Sequence, residues 1–171
     1  MAEPYGKLIA HQDAAAVEAA CQAMGLSSTQ FAELASRVAA AKATAYCPYS
    51  QFRVGTTLLA ADGETYISGA NVENAAYPVG TCAERVAMGR AVTDGFREFK
   101  AVAVATDISP PASSCGMCRQ FMREFCALST PILMFDKNGD FMVLTMGQLL
   151  PQSFGPENLP PPPPLTGIKG K

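Results

Sequence analysis

Phe31, Leu34, Ala35, Val38 and Ala41 recur at three- and four-residue intervals, which predicts an amphipathic helix over residues 29–45. Ser27 and Gln30 stand at capping-box spacing just ahead of it, and Pro48 stops it. An alanine-rich stretch upstream predicts a shorter helix from Asp13 to Met24. Beyond Pro48 the pattern changes to that of strands. Val54–Ala60 and Glu64–Asn71 flank the turn Ala61-Asp62-Gly63. Ala101–Thr106 is a continuous apolar run, as expected of a strand buried on both faces. Ile132–Phe135 and Phe141–Leu144 flank a second turn, Lys137-Asn138-Gly139-Asp140. Cys82–Val92 and Gly116–Cys126 read as helices, and Met146–Leu150 as a short one. The order helix, strand, strand, helix, strand, helix, strand, strand predicts one sheet covered by helices.

Composition narrows the class. A chain of 171 residues with 49% hydrophobic content is expected to form one domain with enough apolar material for a core. A net charge of −2 and a pI near 5.4 provide no basic footprint, which argues against a nucleic-acid surface. No apolar run approaches the length of a membrane span. Met1–Ala10 contains Glu3, Pro4 and Lys7 and lacks the apolar core of a secretory signal, so the expected location is the cytoplasm. Six cysteines in such a chain point to metal or redox chemistry before disulfides. Residues 160–164 are all proline, which predicts an extended or disordered tail.

The chemistry concentrates in Cys82-Ala83-Glu84 and Cys115-Gly116-Met117-Cys118. Cys115 and Cys118 are three apart at the start of a predicted helix, which puts both thiols on one face. Cys82 opens another predicted helix. Helix N-termini favour thiolate over thiol, so two helix starts are expected to converge on one metal ion. Three protein ligands leave zinc an open position for water, whereas four would make a structural site. A fourth ligand would have to come from Cys21, Cys47, Cys126 or the single histidine, His11, and none forms a second close pair with Cys82. Cys21, Cys47 and Cys126 read as buried or incidental thiols. Glu84 stands two residues after Cys82, placed to move a proton of that water, although a carboxylate in a helix's first turn is also simply favourable there. Three thiolates and Zn²⁺ sum to one negative charge, and Arg85 is the natural group to offset it.

Other segments flank these motifs. Cys47-Pro48-Tyr49-Ser50-Gln51-Phe52-Arg53-Val54-Gly55 and Ser68-Gly69-Ala70-Asn71-Val72-Glu73-Asn74-Ala75-Ala76-Tyr77-Pro78 precede Cys82, and Leu149-Leu150-Pro151-Gln152-Ser153-Phe154-Gly155-Pro156 comes last. With Cys82-Ala83-Glu84-Arg85 and Cys115-Gly116-Met117-Cys118-Arg119-Gln120, the chain resembles the cytidine deaminases of the small, homotetrameric class with three cysteine zinc ligands. The resemblance runs from about Ser28 to Leu159. It divides the chain into an N-terminal extension (1–26), a catalytic domain (27–159) and a proline-rich tail (160–171).

The resemblance implies an α/β fold, a three-layer α/β/α sandwich with a five-stranded mixed sheet. It implies one zinc per subunit on Cys82, Cys115 and Cys118, Glu84 as the catalytic acid–base, and Arg85 supporting the thiolates. Asn71 and Glu73 match contacts to ribose hydroxyls, Phe52 an aromatic packed on the pyrimidine, and Ala83 a backbone contact to the base. Tyr77 and Phe154 match aromatics lining sites at subunit interfaces. Read without the family, Asn71 and Glu73 are better taken as polar residues at a strand end, and the three aromatics as core. Ser114 stands where the family usually has proline, and Met117 where it usually has a small residue. The implied reaction is hydrolysis of cytidine and deoxycytidine to the uridine forms and ammonia, in a homotetramer with shared sites and no nucleic-acid or membrane partner. A deaminase of another aminopyrimidine nucleoside, such as a nucleoside antibiotic, a polynucleotide editor and a silent zinc-stabilised scaffold are the alternatives. Intact Glu84 argues against the last.

Overall fold

The computed structural model describes residues 6–160; Met1–Tyr5 and the tail from Pro161 onward, with the extended tail expected there, lie outside the described residues. Ten elements follow in chain order: α1 (Ala14–Met24), α2 (Ser28–Ala43), β1 (Val54–Ala60), β2 (Tyr66–Ala70), α3 (Ala83–Thr93), β3 (Phe99–Thr106), α4 (Gly116–Arg123), β4 (Pro131–Phe135), β5 (Phe141–Thr145) and α5 (Met146–Leu149). Asp13 caps α1 through Ala16 N, and Ser27 and Gln30 form the expected capping box on α2. β2 begins two residues later than the alternation implies. The Asp62 carboxylate holds the amides of Glu64 and Thr65 in a side-chain turn, so those amides are withheld from the ladder. α4 stops short of Cys126 because its last turn tightens, Phe125 N and Cys126 N both donating to Met122 O.

The strands form one mixed five-stranded sheet in the order β2-β1-β3-β4-β5. Only β3 and β4 pair in parallel, and α4 makes the crossover between them. Side chains of a strand alternate between faces, and the core divides accordingly. Leu58, Val102, Val104, Ile132 and Met134 face a layer containing Ala87, Met88 and Ala91 of α3, Met122 of α4 and Met146 of α5. Leu59, Ala101, Ala103, Ala105, Leu133, Phe135 and Phe141 face Leu34 and Val38 of α2, with Val17 and Ala20 of α1 packed beside them. The result is the three-layer α/β/α sandwich. Gly69 permits its closeness on the α3 side, since a Cβ there would lie 2.6 Å from Ala87 N.

Residues ahead of α2 are part of this packing. Ile9 and Phe141 exchange backbone hydrogen bonds of 2.8 and 3.0 Å, which covers part of the outer edge of β5. His11, expected to be an exposed terminal side chain, is exposed and also bonds the Asp140 carboxylate through Nδ1 at 2.8 Å. Cys21 and Leu26 are buried.

Candidate active site

Cys82 is the N-cap residue of α3 and Cys115 that of α4, with Cys118 in the first turn of α4. The two helix starts meet at one end of the sheet. The Sγ atoms of Cys82, Cys115 and Cys118 all lie within 4.8 Å of one another, and Cys82 and Cys115 are 4.0 Å apart. Tetrahedral thiolates at zinc's usual bond length stand about 3.8 Å apart, so the cluster has the spacing this metal requires. Among the described residues no other group of three metal-ligating side chains converges. Cys21, Cys47 and Cys126 are free and lie elsewhere. Burial pushes the Cys126 thiol up to about 12, which makes it inert.

The sulfurs differ in protonation. A hydrogen bond from Cys118 stabilises the Cys82 thiolate and draws its pKa down to about 6. Cys118, as that donor and a buried group, is pushed up. A coordinated metal ionises thiols outright. Cys118 Sγ also lies 3.3 Å from Glu84 Oε2. Arg85 faces the same sulfurs. Burial pulls its pKa down, but contact with Cys82 and Cys118 outweighs this and raises it. Its Nε is buried with no hydrogen-bond partner, a donor suited to thiolate charge.

A cleft of about 320 Å³ opens over the cluster, and Phe52, Asn71, Glu73, Cys82, Glu84 and Cys115 line it. Residues distant in sequence are thus brought together. Glu84 is only 4% exposed. Ala83, the first residue of α3, is fully buried directly beside Cys82. The Asn71 amide is engaged with the backbone, Oδ1 accepting from Val54 N at 2.8 Å and Nδ2 donating to Phe52 O at 2.9 Å. One N–H and one lone pair remain for a ligand. Tyr77 and Phe154 stand outside this cleft. Tyr77 is 75% exposed and borders an adjoining cavity with Tyr49 and Glu73. Phe154 is 58% exposed, on a loop tied to α4 by Gln120 Nε2 and by Arg123, which bonds Ser153 and Glu157. A larger cleft of about 400 Å³ between the N-terminal segment and β5 is lined by no thiol or carboxylate.

Two contributors, Ser50 and Arg119, lie within the motif segments but have no role that the linear pattern assigns. Ser50 borders the cleft and bonds Glu73. Arg119 joins Ser114 O, Ser113 Oγ and Leu149 O, each at 2.7 Å, and so fixes the approach to Cys115 against the end of α5. Its partners include a carbonyl 30 residues away, which the sequence does not reveal.

Fold and site together define a zinc-binding α/β protein of the deaminase type. The chain belongs to the cytidine and deoxycytidylate deaminase zinc-binding family, which it matches over residues 28–134. It is 49% identical over 119 residues to the cytidine deaminase of Sporosarcina psychrophila, an overlap of 70% of this chain and 87% of that one. It is 43% identical to that of Halalkalibacterium halodurans, over 70% of this chain and 89% of the relative. The crystal structure of cytidine deaminase from Burkholderia pseudomallei superposes with a TM-score of 0.69 at 39% identity, covering 72% of this chain and 98% of that one. The cytidine deaminase structure from Mycobacterium leprae superposes with a TM-score of 0.61 at 35% identity, over 71% and 98%. The site is consistent with one zinc per chain. No helix among the described residues is long and apolar enough to cross a membrane.

Proposed function

We propose that this chain hydrolyses cytidine and deoxycytidine to uridine and deoxyuridine with release of ammonia. The observation that carries the reading is the meeting of three sulfurs and Glu84 at two helix starts, beneath a cleft lined by Phe52, Asn71 and Glu73. Cys82, Cys115 and Cys118 hold the zinc. When bound, zinc supplies the Lewis acidity that makes a water acidic enough to attack near neutral pH. Arg85 offsets the negative charge of the thiolates and keeps that acidity available.

Glu84 moves the protons. Its carboxylate accepts one from the water as the oxygen adds to C4 of the pyrimidine, and delivers it to N3. It then carries the remaining proton of that water from the new C4 hydroxyl to the departing amine, so that N3 keeps the first proton, one water enters and one ammonia leaves. Phe52 packs on the base, and the Ala83 backbone contacts it. Asn71 and Glu73 take the sugar hydroxyls.

Tyr77 and Phe154 complete the site from neighbouring subunits of a homotetramer. Their exposure, alongside exposed Tyr49, Val79, Met117 and Phe121, supports that assembly. The six unpaired thiols accord with a cytoplasmic enzyme. Ammonia release from cytosine, cytidine, deoxycytidine, dCMP and single-stranded DNA, with zinc quantified in the same sample, tests the reading. Release from the two nucleosides is expected, and none from a zinc-loaded sample would overturn it.

A further inference from the structure

Glu73 is half-buried, and its carboxylate is not free. Oε2 accepts from the backbone amides of Tyr49 at 2.9 Å and Ser50 at 3.2 Å. Oε1 accepts from the Ser50 hydroxyl. A carboxylate offers about four acceptor positions, and three of these are filled, which leaves one on Oε1; Glu73 itself lines the cleft. The Ser50 hydroxyl oxygen in turn accepts from Phe52 N at 3.1 Å. Phe52 O accepts from Asn71 Nδ2, whose Oδ1 accepts from Val54 N. A continuous run of hydrogen bonds therefore joins Glu73, Ser50, Phe52 and Asn71 along one wall of the cleft.

The backbone is bent to make this run. Gln51 has a left-handed conformation, with φ 54°, and its amide donates to Cys47 O at 2.9 Å. Side chains other than glycine, asparagine and aspartate seldom adopt that region. The bend lets the Ser50 side chain meet both Glu73 and the amide of Phe52, two residues on. The Ser50 hydroxyl is also the leading cause of the lowered Glu73 pKa, and the amides of Tyr49 and Ser50 act in the same direction.

We infer that Ser50 is a positioning residue, which aims the Glu73 carboxylate at a sugar hydroxyl and ties its placement to that of Phe52. The inference rests on the nucleoside reading above. It makes Ser50 a determinant of whether the sugar is recognised, although its hydroxyl is already spent on Glu73. Without that hydroxyl, Glu73 loses one of three restraints and the amide of Phe52 loses its acceptor. Substrate binding should weaken more than the chemical step, because neither Glu84 nor a sulfur is touched.

Steady-state kinetics of the zinc-loaded chain and its Ser50→Ala and Ser50→Thr variants test this, with cytidine and 2′,3′-dideoxycytidine as substrates. Ser50→Ala should raise KM for cytidine about tenfold, the usual scale for a hydrogen bond to a charged group, with a much smaller change in kcat. The dideoxy substrate, which lacks the 2′- and 3′-hydroxyls, should lose far less. Ser50→Thr retains the hydroxyl and should restore KM. NMR titration of the Glu73 carboxyl should show a pKa below the ordinary carboxylate range in the wild type and a rise in Ser50→Ala. Equal loss on both substrates, an unchanged KM or an unmoved Glu73 titration would overturn the inference while wild-type activity on cytidine stands. A wild type inactive on cytidine overturns the nucleoside reading and takes this inference with it.

Discussion

Cys118 Sγ and Glu84 Oε2 are 3.3 Å apart, joining the first turn of α4 to the first turn of α3. The contact places the candidate proton carrier, itself buried, against a candidate metal ligand. Glu84→Gln keeps nearly the same shape but moves no protons. The variant should fold and retain zinc while turnover with cytidine falls by roughly 10²–10⁴-fold or more, since general acid–base groups contribute on that scale and Glu84 acts more than once. Parallel metal analysis and ammonia release decide the matter, and a near-normal kcat would remove Glu84 from the role.

Arg85 presents a buried, otherwise unpartnered Nε beside the sulfurs. Arg85→Gln removes the positive charge that offsets the thiolates. Turnover or zinc affinity should fall about 10–100-fold, the usual scale for groups supporting metal ligands. Competition with a chelator, alongside kinetics, separates the two effects. Unchanged zinc affinity and rate would leave Arg85 a purely structural residue.

Asp107 receives Arg53 Nε at 2.9 Å and Lys42 Nζ at 3.2 Å, tying the ends of α2 and β3 to the approach of β1. The Arg53 hydrogen bond, with a further contribution from Lys42, draws the Asp107 pKa below its ordinary value despite partial burial. A folded-state pKa below the unfolded one means stability that is present above the unfolded value, about 3.9, and lost as pH falls through the folded one. Asp107→Asn should lower the neutral-pH melting temperature by about 2–4 °C, as expected of a partly screened pair. The gap between variant and wild type should close as pH drops below about 4. Melting curves measured across that range would show a constant gap if the pair contributes nothing.

Phe154 sits on a loop anchored to α4, with its ring exposed. If it completes a neighbour's site, Phe154→Ala should weaken cytidine binding by about 1–3 kcal/mol while sparing zinc, the scale of base–aromatic stacking. Co-expression of Phe154→Ala with Glu84→Ala should then produce mixed oligomers more active than the sum of the parents, because some sites regain both residues. Confirmed mixed oligomers without that gain would confine Phe154 to its own chain.

Much of the fold was legible because it rests on local periodicity. From Ala101 onward the even- and odd-numbered apolar residues of β3 and β4 fall on opposite faces, and both turns around Gly63 and Gly139 place a glycine at positive φ. The thiol spacing, with Glu84 and Arg85, also marked the metal chemistry, since one helical turn brings Cys115 and Cys118 together. What linear spacing does not encode is which distant backbone groups a side chain will meet. Packing alone bound Arg119 to Leu149 O. It likewise joined Ser50 to Glu73 and closed Ile9 over the edge at Phe141. Such contacts follow from how helices seat on the sheet, where buried area and unpaired polar groups are balanced over the whole chain.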